Sequence, residues 1–193
     1  MMIIGITGTM GAGKSTVSAY LESKGYQVYN TDLFTRRYYD KDGVLYPWLI
    51  ETFTKDILNE DMSVNRKKLA EVVFHDPAQL SMLESAVFKA VREDITRISD
   101  QAMDWVFFEV PLLFEADMAD LFDVILCIDM EKKRRHELLI KRGMDHHSIE
   151  MREKRQISAK QKRLFSDFVI ENNGDLKVLY KNIDKILGRL KDG

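Results

Sequence analysis

The sequence predicts an α/β protein built around a central parallel sheet, and three observations carry that prediction. Short β-branched and aromatic runs alternate with longer segments of helical periodicity. A glycine-rich loop ending in lysine and serine separates the first apolar run from the first helical segment. No Gly/Ser-rich or Pro-rich linker, repeat or low-complexity tract divides the 193 residues, so a single domain with small appended lobes is expected.

Five runs read as buried parallel strands: Met2 to Ile6, Gln27 to Asn30, Trp105 to Val110, Asp123 to Asp129, and Phe168 to Glu171. The longest helix is expected to open at Asp76-Pro77, where a capping carboxylate precedes proline at the first helical position. Leu80, Leu83, Val87, Val91, Ile95 and Ile98 then recur at spacings of three and four, one apolar stripe along that helix. Open sheets of this kind bind ligands at the carboxyl ends of their strands. The positions just after Ile6, Asn30, Val110 and Asp129 are therefore where chemistry is expected.

Composition narrows the class. Hydrophobic residues at 45% and charged residues at 31% suit a folded domain with its own core. A net charge of -2 argues against a surface built as a whole for nucleic acid or anionic membrane. Cys127 is the sole cysteine and lies inside Val124-Ile125-Leu126-Cys127-Ile128, so it reads as a buried strand thiol. The opening Met1 to Ile6 is too short for a signal peptide, and no apolar stretch approaches the roughly 20 residues that span a bilayer. A soluble cytoplasmic protein is expected, with neither nucleic acid nor membrane as partner.

Gly8-Thr9-Met10-Gly11-Ala12-Gly13-Lys14-Ser15 fits the phosphate-loop pattern G-x-x-x-x-G-K-[ST] at every fixed position, after a strand and before a helix as the pattern requires. Its glycines let the backbone turn tightly and approach phosphate oxygens. The helix amino terminus adds N–H groups and positive dipole character. Gly11, Ala12, Gly13, Lys14, Ser15 and Thr16 are the expected ATP contacts, with Lys14 on the β- and γ-phosphates and the Ser15 hydroxyl on magnesium.

A phosphate loop alone leaves the acceptor open. A GTPase should show an N-K-x-D or T-K-x-D element, and neither occurs; Asp40-Lys41-Asp42-Gly43 follows no strand and reads as a solvated turn. Asp32, just past the second strand, is either a general base for an attacking hydroxyl or a cap for the following helix. Glu109 closes the third strand, where an acid either holds magnesium or is simply exposed. From Glu131 to Arg163 there are 12 Lys/Arg against five Asp/Glu, without interleaved aromatics. Arg135, Arg142, Arg152 and Arg155 flank the polar turn Gly143 to His147, which suits a mobile lid closing over a triphosphate; the plainer reading is a solvated basic face. His146-His147 lacks a partner at metal-ligand spacing and reads as surface.

Beyond the loop, the chain closely resembles the dephospho-CoA kinase family from Ile3 to about Leu187. The resemblance is carried by Asp32 with Arg36, by Arg66, Leu69 and Val73-Phe74-His75-Asp76-Pro77, and by Val110-Pro111-Leu112-Leu113-Phe114-Glu115. Arg142, Arg152 and Gln156, and then Asp167-Phe168-Val169-Ile170-Glu171-Asn172-Asn173-Gly174, complete it. It implies a P-loop kinase fold with a five-stranded parallel sheet flanked by helices. The core would span about 1–31, 103–130 and 165–193, with a helical acceptor-binding lobe at about 32–102 and a lid at about 131–164. It implies transfer of phosphate from ATP, with Mg2+, to the ribose 3′-hydroxyl of dephospho-CoA. Asp32, Lys14 and Arg142 would be catalytic. Asp32, Arg36 and Glu115 would meet the acceptor, and Ser15 and Glu109 the metal. A monomer is expected. Two departures fall on the acceptor side: Asn30-Thr31-Asp32 stands where the family has D-A-D, and Phe88-Lys89 where it commonly has His-Pro. A kinase for another small acceptor, or a nucleotide-binding module without catalysis, are the competing readings.

Overall fold

In the computed structural model, residues 1–192 are described. The chain opens with β1 (Ile3–Thr7), α1 (Lys14–Ser23) and β2 (Gln27–Asn30). Four helices follow: α2 (Thr31–Tyr38), α3 (Tyr46–Phe53), α4 (Arg66–Phe74) and α5 (Pro77–Gln101). Next come β3 (Val106–Glu109), β4 (Val124–Asp129), α6 (Lys132–Lys141), α7 (His146–Glu153), α8 (Ala159–Phe165), β5 (Phe168–Glu171) and α9 (Leu176–Asp192). All five expected strands are present, their ends shifted by at most one residue.

Two compact units result, Met1–Asn30 with the chain from Gln101 onward, and Thr31–Asp100. The first holds a sheet of order β2-β3-β1-β4-β5 in which every pairing is parallel. Its three inner strands, β3, β1 and β4, are nearly continuous apolar runs because both faces are covered, whereas the edge strand β2 is only half-buried. Ile4, Ile6, Phe107, Leu126 and Ile128 are fully buried, each such side chain contributing roughly 1.5–3 kcal/mol. Val17 and Leu21 of α1, and Leu179, Ile183, Ile186 and Leu187 of α9, join the same core. The spacing of the last four is what one buried helix face requires.

The second unit is helical. Asp76 Oδ1 accepts from the amide of Ala78 at 2.9 Å, capping α5 where Asp76-Pro77 predicted a start. Leu83, Val91 and Ile95 of the expected stripe are buried, and Leu80, Val87 and Ile98 are half-buried. Tyr38, buried at the end of α2, donates its hydroxyl to Asp94 of α5 at 2.8 Å. Burial first, and then that hydrogen bond to Asp94, push its phenol well above the usual range. Asp40 to Gly43 form a turn, closed by Gly43 N–H donating to the Asp40 carbonyl at 2.7 Å. Among the described residues, no helix is long and apolar enough to cross a membrane.

Candidate active site

Strand β1 is central, with β3 on one side and β4 on the other, so the sheet changes winding direction at its carboxyl end. The register aligns Ile6 with Glu109 and Thr7 with Cys127, and the glycine-rich loop leaves β1 at this switch point. Two of its glycines are obligatory. Gly8 has φ +146, and a Cβ there would lie 2.2 Å from the carbonyl oxygen of Ile128. Gly13, at φ +99, turns the chain into α1, and its Cβ would fall 2.2 Å from Nδ2 of Asn172. The loop thus delivers the amino terminus of α1, with its positive dipole character, to the end of the sheet. Lys14, the first residue of α1, is buried and folds its ammonium over the loop, donating to the carbonyls of Gly8 at 3.0 Å and Thr9 at 3.3 Å.

Residues distant in sequence hold the loop's outer side. Asn172, at the end of β5, donates Nδ2 to the Ala12 carbonyl at 2.9 Å, while its own amide donates to Asp129 at 2.8 Å. The amide of Met10 donates to Oε1 of Gln156 at 3.0 Å, and Arg135 Nη1 donates to the Met10 carbonyl at 2.9 Å. Sequence reasoning did not assign Asn172 a part in the loop. The signal was its place just past the fifth strand, on the same ligand-facing edge. Beside the loop lies a cavity of about 610 Å³, lined by Gly11, Gly13, Thr16, Arg134, Arg142 and Asn172 among others. Arg134 donates to the carbonyls of Asn173 and Gly174, so that wall is tied down from α6. Loop backbone, a helix amino terminus and two arginines suit an anionic ligand of nucleotide size.

Glu109 is buried rather than exposed, and its Oε2 accepts from the Ser18 hydroxyl at 2.7 Å. Ser15, the second residue of α1, is exposed. One hydroxyl and one carboxylate are hard oxygen donors, and no group of three or more His, Cys, Asp or Glu that could cage a metal occurs among the described residues. That sparse set fits magnesium, which typically takes one or two protein oxygens and fills its shell with phosphates and water.

The other expected residues lie as follows. Asp32 is exposed in the first turn of α2, inside the helix rather than at its cap. Arg36 is exposed on the same helix, and its carbonyl accepts from Arg66 at 2.7 Å. Glu115 is engaged within the sheet-bearing unit: Lys162, fully buried, pairs with it at 2.9 Å and also donates to the Pro111 carbonyl, and Glu115 accepts from the Ile157 amide at 2.9 Å. Arg142 follows α6 and is exposed, as are Arg152 and Arg155. Arg135 does not lie on a solvated basic face. It is buried, and its Nη1 is shared between Met10 and Glu153, the latter at 2.9 Å. Burial alone would raise the Glu153 carboxyl, but hydrogen bonds from His136 and Arg135 hold it below its ordinary value. Cys127 is the buried strand thiol expected, pushed up to about 11 chiefly by burial.

The sheet order, the loop at its switch point and the cavity beside it are those of the P-loop kinase fold. Shikimate kinase from Acinetobacter baumannii shares that fold with a TM-score of 0.57 at 14% identity, covering 100% of this chain and 94% of that one. The chain belongs to the dephospho-CoA kinase family, whose model matches residues 2–177. A dephospho-CoA kinase of Aquifex aeolicus is 33% identical over 192 residues, covering 98% of both chains. A solved structure from Thermus thermophilus superposes with a TM-score of 0.83 at 31% identity, covering 98% of this chain and 97% of that one. The protein is accordingly a kinase of the final step of coenzyme A biosynthesis.

Proposed function

We propose that this chain transfers the γ-phosphoryl group of ATP to the ribose 3′-hydroxyl of dephospho-CoA, giving coenzyme A and ADP. The observation that carries the reading is the near-full-length family match, joined to a phosphate loop at the switch point of the sheet. Gly11 to Thr16 cradle the triphosphate through backbone N–H groups and the α1 dipole. Lys14 releases its loop carbonyls to meet the β- and γ-phosphates, and Arg142 adds charge to the transferring group. Asp32 accepts or orients the proton of the 3′-hydroxyl; its exposed position in the first turn of α2 supports that role. Arg36 meets the acceptor. Ser15, with Glu109, would hold magnesium, which when bound with ATP offsets phosphate charge and orients the triphosphate. The helical stretch at about 32–102 serves as the acceptor-binding lobe and about 131–164 as the lid. The protein works as a cytoplasmic monomer.

Glu115 contributes to acceptor binding indirectly. Its bonds to Lys162 and Ile157 fix the course of the Val110 to Glu115 segment, and that support is what the reading asks of it.

The test is a coupled ADP-release assay with Mg·ATP and dephospho-CoA beside a panel of nucleosides, nucleotides and shikimate, on wild type and Asp32→Asn. Turnover confined to dephospho-CoA and lost in the variant supports both the acceptor and the base. Faster turnover of another acceptor would overturn the first, and an active variant the second.

A further inference from the structure

We infer that Arg135 and Gln156 are positioning residues for the phosphate loop, holding the Met10 residue at its carbonyl and its amide so that the amides after it stay aimed at the nucleotide phosphates. The inference rests on the reading of Gly8 to Ser15 as an ATP site, though not on the identity of the acceptor.

A loop with glycines at three of its eight positions has no conformational stiffness of its own. Its shape must be imposed from outside, and Met10 is where two such bonds converge. Gln156 Oε1 accepts its N–H at 3.0 Å, and Arg135 Nη1 donates to its C=O at 2.9 Å. Both come from the segment spanning α6 to α8, more than a hundred residues along the chain. A neutral amide oxygen is a suitable acceptor here, because a carboxylate would add repulsion beside a triphosphate. Arg135 is 4% exposed, and its Nε is buried without a partner. Glu153 links the two grips. It accepts from Arg135 at 2.9 Å and His136 at 3.0 Å, faces Lys132 at 3.4 Å, and stands three residues before Gln156, whose amide donates to its carbonyl. Downstream, Ile157 N–H is anchored on Glu115, and Glu115 on the buried Lys162. The acceptor of Met10 is therefore fixed on both sides.

The experiment compares wild type with Gln156→Ala, Arg135→Met and the double variant. Calorimetry gives Kd for Mg·ATP and, separately, for dephospho-CoA; thermal melts report the fold. Arg135→Met leaves Glu153 with His136 and Lys132 but strips the half-buried Met10 carbonyl of its donor, so its Tm should fall. Gln156→Ala, at a half-buried position, should melt close to wild type and carries the test free of that loss. Each single change is expected to weaken Mg·ATP about three- to tenfold, leaving dephospho-CoA affinity unchanged. The double variant should lose less than the product of the singles, because both grips act on one residue. Arg135→Lys should recover part of the loss. Mg·ATP affinity unchanged in both single variants overturns the inference. So does a parallel fall of both affinities together with Tm, which marks a general loss of structure. A wild type that binds Mg·ATP but does not phosphorylate dephospho-CoA would break the functional reading and leave this one intact.

Discussion

The loop between β1 and α1 and the first turn of α2 each follow the carboxyl end of a strand, yet the expected catalytic side chain of the first, Lys14, is buried and that of the second, Asp32, is exposed. The loop is fastened throughout: Met10 by Gln156 and Arg135, Ala12 by Asn172, and Gly8 and Thr9 under Lys14. Asp32 and Arg36 on α2 are exposed. On the function proposed above, the difference follows from which atoms do the chemistry. Phosphate binding by backbone N–H groups needs every peptide plane fixed, so it draws bonds from α1, α6, β5 and the chain between α7 and α8. Proton transfer by one carboxylate needs only a helix that carries it to the right place.

Paired substitutions test that contrast most strongly. Asp32→Asn should lower kcat by about 10²- to 10⁴-fold while shifting stability by no more than about 0.5 kcal/mol, the usual range for an exposed position. Lys14→Ala should cost about 10²- to 10³-fold in kcat and also lower the Tm, because the Gly8 and Thr9 carbonyls lose their donor. Equal melts for the two variants, measured with steady-state rates, would erase the distinction.

Next in size is Lys162→Met, which strands the Glu115 carboxylate in a largely buried site and should destabilise by roughly 3–5 kcal/mol. Adding Glu115→Leu should restore much of that in urea titration if the pair is an anchor; failure to recover would point to a further duty for Glu115. Gly8→Ala sets a Cβ against the Ile128 carbonyl at positive φ, and roughly 1–3 kcal/mol of stability should go with it. Mg·ATP binding, followed by calorimetry, should fall in the same variant. Smallest is Tyr38→Phe, which removes one hydrogen bond to Asp94 within the helical unit and should cost about 1 kcal/mol. Asp94 keeps Arg97 at 2.5 Å, and nucleotide affinity should not change.

The legible parts of the molecule were those whose physics repeats along the chain. Strands buried on both faces announce themselves as apolar runs, and α5 through Asp76-Pro77 and its stripe. The glycine loop was legible because backbone chemistry leaves so few residue types to choose from. Arg135 was not. Its guanidinium is oriented by Met10, Glu153 and the fold around them, and no local pattern separates a buried arginine from the exposed ones at 142, 152 and 155. The carboxylate of Glu109 was half legible: its position at a strand end was clear, its burial against Ser18 was not. Asn172 illustrates the same limit, since its bond to Ala12 spans 160 residues.

The placement of β1 at the centre of the sheet also sets an order of events during synthesis. Ile3 pairs with Val106 and Ile4 with Val124, so the strand made first has no neighbour until more than half the chain exists. At roughly 5–20 residues per second, its backbone waits on the order of 5–20 s for its first neighbouring strand. The helical unit from Thr31 to Asp100 is complete in that interval, and its helices need no partner strand to form. A nascent chain should therefore acquire its helical unit first and its nucleotide site last, once β5 has delivered Asn172 to the loop.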